Sequence, residues 1–585
     1  MNSPSGDKVG VDREGRYGLS PNGAARPVGG GPVHAAGVVT QRAAAGWGLP
    51  LGVLVVGTFM SILDISIVNV AIPTIQNDFG ATTDEVQWVI TGYALTEGVV
   101  VPATAWLGDR LGLSRVYNVA MLAFAAGSAL CGLAWDLNSL VIFRVVQAIP
   151  GGILPVVTLS ILYRIVPRDR LGAAMGLYGL GVVFAPAVGP VLGGYLVEYV
   201  DWRLIFFINV PIGILGAIAA ALVLPGFPGR AGRRFDVLGF LTVAGGLFAM
   251  LLAITKGESW GWYSYRVLGL ITFSVLSLAL FVVIELEIAD PLLDIRIFRY
   301  WAFTRSLALI AVLMVVLYGV GFYIGLFLQQ AQGLGALDTG LTLLPQALTI
   351  AVLMPIAGWV YDRIGPRWPA AIGLTIVAGS AYLLHTITID TSREHLLWLM
   401  VLQGAGVGIA FMPIFTGGIA VIPMAQVNTA SAVNTVVQRV SGALGLAVLT
   451  AIFTTQRAQQ MAGRAALQPA NTATPHIGGP DVSDWVGAYA TYQLTQLQVF
   501  VDAMDDLLLI VAVLSALGAL SALLLRSGSA PAVSTGFAPP QKKPAPVTPA
   551  DAGPIENSAV ANGQVQDGAV GRDLTPSVTP GERRA

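Results

Sequence analysis

The chain has 585 residues, 55% of them hydrophobic and only 11% charged, with 32 Lys and Arg against 33 Asp and Glu. A soluble globular protein carries roughly 25% charged residues, so this composition excludes a water-facing surface over most of the chain. The near-neutral balance offers no basic stripe for a nucleic acid. The single cysteine, Cys131, lies in an apolar run, which excludes disulfides within the chain and argues against a cysteine-based metal site.

Residues 1–46 are rich in Gly, Pro and Ala without apolar periodicity, and a disordered tail is expected there. The first apolar run begins near Trp47, too late for a cleaved signal peptide. Runs of about 20 residues, the length that crosses a hydrocarbon core about 30 Å thick, then follow near 50–71, 86–106, 115–134, 140–162, 171–197, 204–224, 236–255, 267–287, 303–328, 338–360, 369–388, 395–418, 430–453 and 505–525. That makes about fourteen spans, with a long outer loop at about 456–500 expected to carry partial structure and a second disordered tail at 527–585.

Orientation follows from where the cations fall. With the N-terminus inside, the inner loops hold Arg110, Arg115, Arg164, Arg168, Arg170, Arg230, Arg233, Arg234, Arg296, Arg299, Arg305, Arg363 and Arg367. The outer loops hold Arg203, Lys256, Arg266, Arg393, Arg457 and Arg464. Both termini are therefore expected in the cytoplasm, of a multi-pass protein in the plasma (inner) membrane.

One motif occurs twice, 253 residues apart: Trp106-Leu107-Gly108-Asp109-Arg110-Leu111-Gly112 and Trp359-Val360-Tyr361-Asp362-Arg363-Ile364-Gly365. Each closes an apolar run, with Pro102 or Pro355 just upstream. Two six-helix halves joined directly would repeat after about 190–200 residues, at about 30 residues per helix plus loop. The longer spacing leaves room for a helical hairpin, supplied by the runs at 236–255 and 267–287. The expected organisation is a six-helix bundle at 47–225, an inserted hairpin at 226–300 and a second six-helix bundle at 301–526.

Four further segments occur in order: Leu63 to Pro73 (LDISIVNVAIP), Trp88 to Leu95 (WVITGYAL), Ala185 to Gly194 (APAVGPVLGG) and Trp202 to Pro211 (WRLIFFINVP). With the duplicated motif they make the chain resemble the major facilitator superfamily, and within it the fourteen-helix drug:proton antiporters, densely over about 50–455. The resemblance implies an all-α membrane protein with the major facilitator fold. It implies a proton-coupled antiporter exporting amphipathic or cationic drugs, with a dedicated exporter of one metabolite or antibiotic as the alternative. A non-transporting scaffold is the third class. An ATP-driven pump is disfavoured, because no Gly-rich phosphate loop ending in Lys-Ser/Thr is present. No enzyme activity, cofactor or metal is expected. The partners are small-molecule substrate, protons and the bilayer; the chain is expected to be a monomer, and no accessory export protein is assigned.

Asp64, Glu97 and Arg144 fall inside predicted spans at middle to outer depth, and Asp64 is the leading candidate for proton coupling. An ionisable group at the membrane centre costs at least about 2.5–3.5 kcal/mol unless it faces a cavity or a partner. Burial favours the protonated carboxyl and a nearby arginine the ionised one, a competition suited to proton coupling. A static Asp64–Arg144 pair that only locks helices is the alternative. Arg144-Val145-Val146-Gln147-Ala148 is similar to the family's helix-4 motif, with Ala148 in place of glycine. Met400 occupies the equivalent place before Gln403-Gly404, so coupling chemistry is expected in the first half.

The resemblance makes Asp109, Arg110, Gly112, Gly358, Asp362, Arg363, Gly365 and Arg367 an inner-gate latch; ordinary loop charges are the alternative. Ala105 and Leu113-Ser114 depart from the pattern in the first copy, so the latch is expected to weigh toward the second. Gly181, Pro186, Gly189, Pro190, Gly193 and Gly194 make helix 5 thin and bendable; the resemblance implies an antiporter seal, and helix packing alone would use the same glycines. Trp88, Tyr93, Gln147, Tyr318, Phe322, Tyr323 and Gln403 are candidates to line a cavity. Arg439 is either a further lining residue or a snorkelling cation.

Overall fold

A computed structural model describes residues 46–229, 234–288, 290–467 and 482–525. The expected tails (Gly46 excepted), Arg230, Arg233 and the centre of the predicted 456–500 loop lie outside these residues. The described chain forms fourteen long helices: α1 Gly48–Phe79, α2 Trp88–Leu111, α3 Leu113–Gly132, α4 Leu137–Ile165, α5 Leu171–Tyr199, α6 Asn209–Val223, α7 Val237–Trp260 and α8 Tyr265–Glu287. They continue with α9 Trp301–Gln330, α10 Ala336–Ile364, α11 Arg367–Leu384, α12 Arg393–Ala420, α13 Val427–Leu467 and α14 Val482–Ala522. Twelve are long and apolar enough to cross a membrane, α6 together with the turn before it. The other two are α2, which carries Glu97, Asp109 and Arg110, and α11, which has 18 residues and opens on Arg367.

Several helices outrun the apolar runs because caps, not hydropathy, decide where they end. Helix α1 continues to Phe79 and stops at Gly80, whose φ of 59° suits a glycine. Asp136 and Ser139 form a capping box at the start of α4, and Ser264 and Ser392 cap α8 and α12. Helices α13 and α14 have 41 residues each, about 60 Å at 1.5 Å per residue and twice a hydrocarbon core. Most of the expected outer loop is therefore helical continuation of these two elements. Asp64 sits at the middle of α1, and Arg144 two turns into α4.

The packing repeats when eight is added to the helix number. Helix α1 packs on α5, α2 on α4, and α3 on α4 and α6; likewise α9 packs on α13, α10 on α12, and α11 on α12 and α14. The two sets meet through α5 against α10 and α2 against α13. Helix α7 pairs with α8 and lies against both α2 and α13. Arg168, Arg170, Arg296 and Arg299 lie in the loops after α4 and α8, and Arg110, Arg115, Arg363 and Arg367 at the helix ends that flank the turns after α2 and α10; that side is called the arginine-rich end below.

Candidate functional site

Asp64 and Arg144 are 0% and 1% exposed and form an ion pair of 2.5 Å between α1 and α4. The Asp64 carboxylate also accepts from Gln147 Nε2 and from Asn209 Nδ2, each at 3.0 Å. Arg144 Nη1 donates to Gln147 Oε1 at 2.9 Å, and its Nε donates to the Val89 carbonyl at 3.4 Å. The guanidinium lies 4.0 Å from the centre of the Tyr93 ring, a cation–π contact that helps hold a charge out of water. Asn209 reaches on to Ser128, which donates to the Phe206 carbonyl. Among the described residues, the hydrogen-bonding partners of this carboxylate come from α4 and α6. Asn209 belongs to the Trp202–Pro211 segment but carried no site assignment from sequence.

Glu97 is also fully buried, one turn beyond Tyr93 on α2, and its Oε2 lies 2.6 Å from Arg439 Nη1 on α13. Neither Glu97 oxygen has an aligned hydrogen bond within the protein, and neither does Arg439 Nε. The contact is a charge pair, not the bidentate fork an Arg–carboxylate pair can form. Arg439 is 27% exposed, so Glu97 is the more deeply buried member of the pair. Gly152 of α4 makes room for it: a Cβ there would lie 2.7 Å from the Glu97 carbonyl and 3.2 Å from its Cγ. Arg439 thus makes an ion pair across the chain's two repeats.

At the arginine-rich end both copies of the duplicated motif reach helix starts in the other repeat. Asp362 accepts from the Gly172 N–H at 2.7 Å and the Ala173 N–H at 3.0 Å, in the first turn of α5. Those amides have no partner inside the helix, and a carboxylate there also meets the positive end of the helix dipole. Asp109 accepts from Asn428 Nδ2 at 2.6 Å in the first turn of α13, and Arg164 donates to the same asparagine's Oδ1 at 3.2 Å. Arg110 and Arg363 stack on Trp106 and Trp359, four residues earlier, at 5.3 and 3.6 Å. The closing glycines, Gly112 and Gly365, have φ of 89° and 77° and end α2 and α10. Gly358 and Gly172 let the α5 and α10 backbones touch: a Cβ on either would lie 2.0–2.1 Å from the other's carbonyl oxygen. Arg367 is exposed. Gly172, Ala173 and Asn428 were invisible to sequence reasoning, since a capped amide leaves no side-chain signature.

The helix-5 motif lies on the opposite half of α5. A Cβ on Gly181, Gly189 or Gly193 would meet Val55, Ser66 or Ile67 of α1 at 2.4, 2.3 and 2.8 Å, while Gly194 faces open space. Ser66 donates to the Pro186 carbonyl at 3.2 Å, and Pro190 is exposed. Thus α5 packs on α10 toward the arginine-rich end and on α1 beyond its middle. Among the aromatic and amide candidates, Tyr93, Gln147, Tyr323 and Gln403 are buried in helix packing, Tyr323 donating to Thr450 and Gln403 accepting from Ser380. Tyr318 and Phe322 are exposed, and Trp88 is partly buried beside Lys256 of α7.

A duplicated, twelve-plus-two helix bundle with ion pairs in its apolar interior defines a multi-pass membrane protein of the transporter class. The family model described as Major Facilitator Superfamily matches residues 54–446, and the chain belongs to that superfamily. It is 34% identical over 402 residues to an uncharacterized MFS-type transporter of Bacillus subtilis, YhcA, covering 69% of this chain and 76% of that one. The multidrug resistance protein B homolog of Mycobacterium tuberculosis is 32% identical, covering 69% and 76%. The tetracenomycin C resistance and export protein of Streptomyces glaucescens is 32% identical, covering 67% and 73%. The crystal structure of the human organic anion transporter MFSD10 shares the fold, with a TM-score of 0.52 at 13% identity, over 80% of this chain and 98% of that one.

Proposed function

We propose that this chain is a proton-coupled antiporter that exports amphipathic or cationic small molecules across the plasma membrane, with both termini cytoplasmic. It comprises two six-helix halves, α1–α6 and α9–α14, with α7–α8 inserted between them. The carrying observation is the pair of buried carboxylate–arginine contacts inside a bundle latched at one end by Asp109 and Asp362. Buried ionisable groups at membrane depth are costly and belong to ion or proton pathways far more often than to scaffolding. The multidrug and antibiotic exporters among the relatives support export. With the arginine-rich end inside, the conformation described is closed to the cytoplasm.

A dedicated exporter of one compound is the second possibility, favoured by the relative named for tetracenomycin C. Substrate-dependent proton movement in proteoliposomes tests coupling, with Asp64→Asn, Glu97→Gln and Arg144→Ala beside the wild type. Normal coupling in all three variants would reject the site. A panel of lipophilic cations accumulating equally in cells with and without the protein would reject multidrug export.

A further inference from the structure

A ligand drives a conformational change only to the extent that it interacts differently with the two states, and a proton is no exception. This criterion separates the two buried carboxylates. The hydrogen-bonding partners of Asp64 (Arg144, Gln147 and Asn209) all lie on α4 and α6, which move together with α1 if the halves move as bodies. Its hydrogen-bonding partners are then the same whichever way the transporter faces. Glu97 is different, because its partner Arg439 stands on α13 in the other half.

The position of the second pair along the helices sharpens the distinction. Helices α2 and α13 run antiparallel and are tied twice: Asp109 to Asn428 at the arginine-rich end and Glu97 to Arg439 in the middle. The two ties are 12 residues apart on α2 and 11 on α13, about 18 and 16 Å at helical rise. They share one seam between the halves. The charged and titratable groups around Glu97 are Arg439 from α13, Asp64 from α1, Arg144 from α4 and, on its own helix, Tyr93. Tyr318 of α9 and Tyr178 of α5 act on the Arg439 side. Helix α7 adds Leu251 and Leu252, packed with Leu95, Val440 and Ala443, so the lipid side of the seam is apolar and sealed.

We propose that the Glu97–Arg439 pair is the proton-sensitive tie between the two halves, and that Asp64–Arg144 is a positioning pair which keeps Tyr93 and α4 in place beneath it. This rests on the proton-driven reading above. With Glu97 ionised, the pair holds α2 to α13 and the inner side stays closed. When Glu97 takes a proton, Arg439 loses its counter-charge and the hold of α2 on α13 weakens, leaving the contacts of Asp109 and Asp362 at the arginine-rich end to break. The proton then leaves toward the cytoplasm, and re-ionised Glu97 recaptures Arg439. Inner closure thus requires that the proton has first been released to the cytoplasm, which couples outward passage of substrate to inward passage of the proton.

Spin labels at Leu111 and Met424, both exposed at the arginine-rich end beside α2 and α13, report the opening as a distance between pH 5 and 9 (a range spanning about four units around neutrality). In the wild type the longer distance should gain population as pH falls. Glu97→Gln should show the low-pH distribution at every pH and lose uphill, proton-driven transport while keeping downhill substrate exchange. Glu97→Asp should retain a pH response, and Arg439→Gln should lose the high-pH preference for the short distance. Exchange by Glu97→Gln demonstrates that this variant is folded. A pH response in Glu97→Gln equal to that of the wild type overturns the proposal even if proton flux persists, leaving proton-driven export intact. Absence of substrate-dependent proton flux in the wild type itself overturns the functional reading instead.

Discussion

Removing the Asp362 carboxylate tests the inner latch directly. Its two oxygens accept the Gly172 and Ala173 amides at 2.7 and 3.0 Å, and Asp362→Ala leaves both without their acceptor. A capping side chain contributes about 0.5–2 kcal/mol, an interaction with the helix dipole about 0.3–1, and hydrogen bonds to a charged group lie at the upper end of the hydrogen-bond range. The carboxylate is only partly buried, so water replaces some of this, and about 2–3 kcal/mol of closed-state stability should be lost. That corresponds to a roughly 30- to 160-fold shift toward the inner-open state. Labels at Asp169 and Ile364, both exposed and flanking the contact, should show a long-distance population that is minor in the wild type and dominant in the variant. An unchanged distribution would mean that the α5–α10 backbone packing closes this end without help from the carboxylate.

Four other outcomes follow from the same geometry. Gly358→Ala places a Cβ 2.0 Å from the Gly172 carbonyl, so it should part α5 and α10 and produce the same long-distance population without touching a charge. Asp64→Asn strands the Arg144 guanidinium, which is 1% exposed, and should cost about 3–5 kcal/mol. Asp64→Asn with Arg144→Met should unfold at a higher temperature in detergent than Asp64→Asn alone, and equal loss would show that the arginine finds another partner. Gly112→Ala combines a φ of 89° with a Cβ 2.1 Å from the Phe227 carbonyl, so segment 226–229 should become protease-sensitive. Asp136 accepts the Ser139 N–H, which holds its carboxyl below the ordinary 3.8. Because the folded value is depressed, this cap supports α4 above pH 3.8 and is lost as pH falls through the lower folded value; amide exchange at Ser139 and Leu140 should rise there, and at neutral pH in Asp136→Ala.

What the sequence could express was what lies on one helix or repeats along the chain. The twin Trp-x-x-Asp-Arg-x-Gly segments announced the duplication, and their spacing announced the hairpin. The stacking of Arg110 and Arg363 on tryptophans four residues earlier is helical arithmetic. Asp64 and Arg144 were legible as rare ions inside apolar runs, although the length of α1 was not, because Gly80 rather than hydropathy ends it. The Glu97–Arg439 contact joins positions 342 apart on different halves, and no local period encodes that. Arg439, alone in an otherwise uncharged stretch, read either as a cavity-lining residue or as a snorkelling cation, and coupling was assigned to the first half because Met400 stands where a counterpart of Arg144 would. The matching depth of Glu97 and Arg439, measured from Asp109 and Asn428, was the one signal available, and it needed the α2–α13 pairing to be meaningful.

Helix α13 has one further consequence, which is mechanical. It is an unbroken rod from Val427 to Leu467, held to α2 at Arg439 while Glu97 is ionised, with 11 residues between that point and Asn428 and 28 beyond it. At 1.5 Å per residue these are lever arms of about 16 and 42 Å. A tilt that moves the arginine-rich end by about 2 Å therefore swings the far tip by about 5 Å in the opposite direction. The extension beyond Arg439 thus magnifies the state of a contact at the arginine-rich end, and a fluorophore on Gln459, which is exposed, would be a handle for watching single transport cycles.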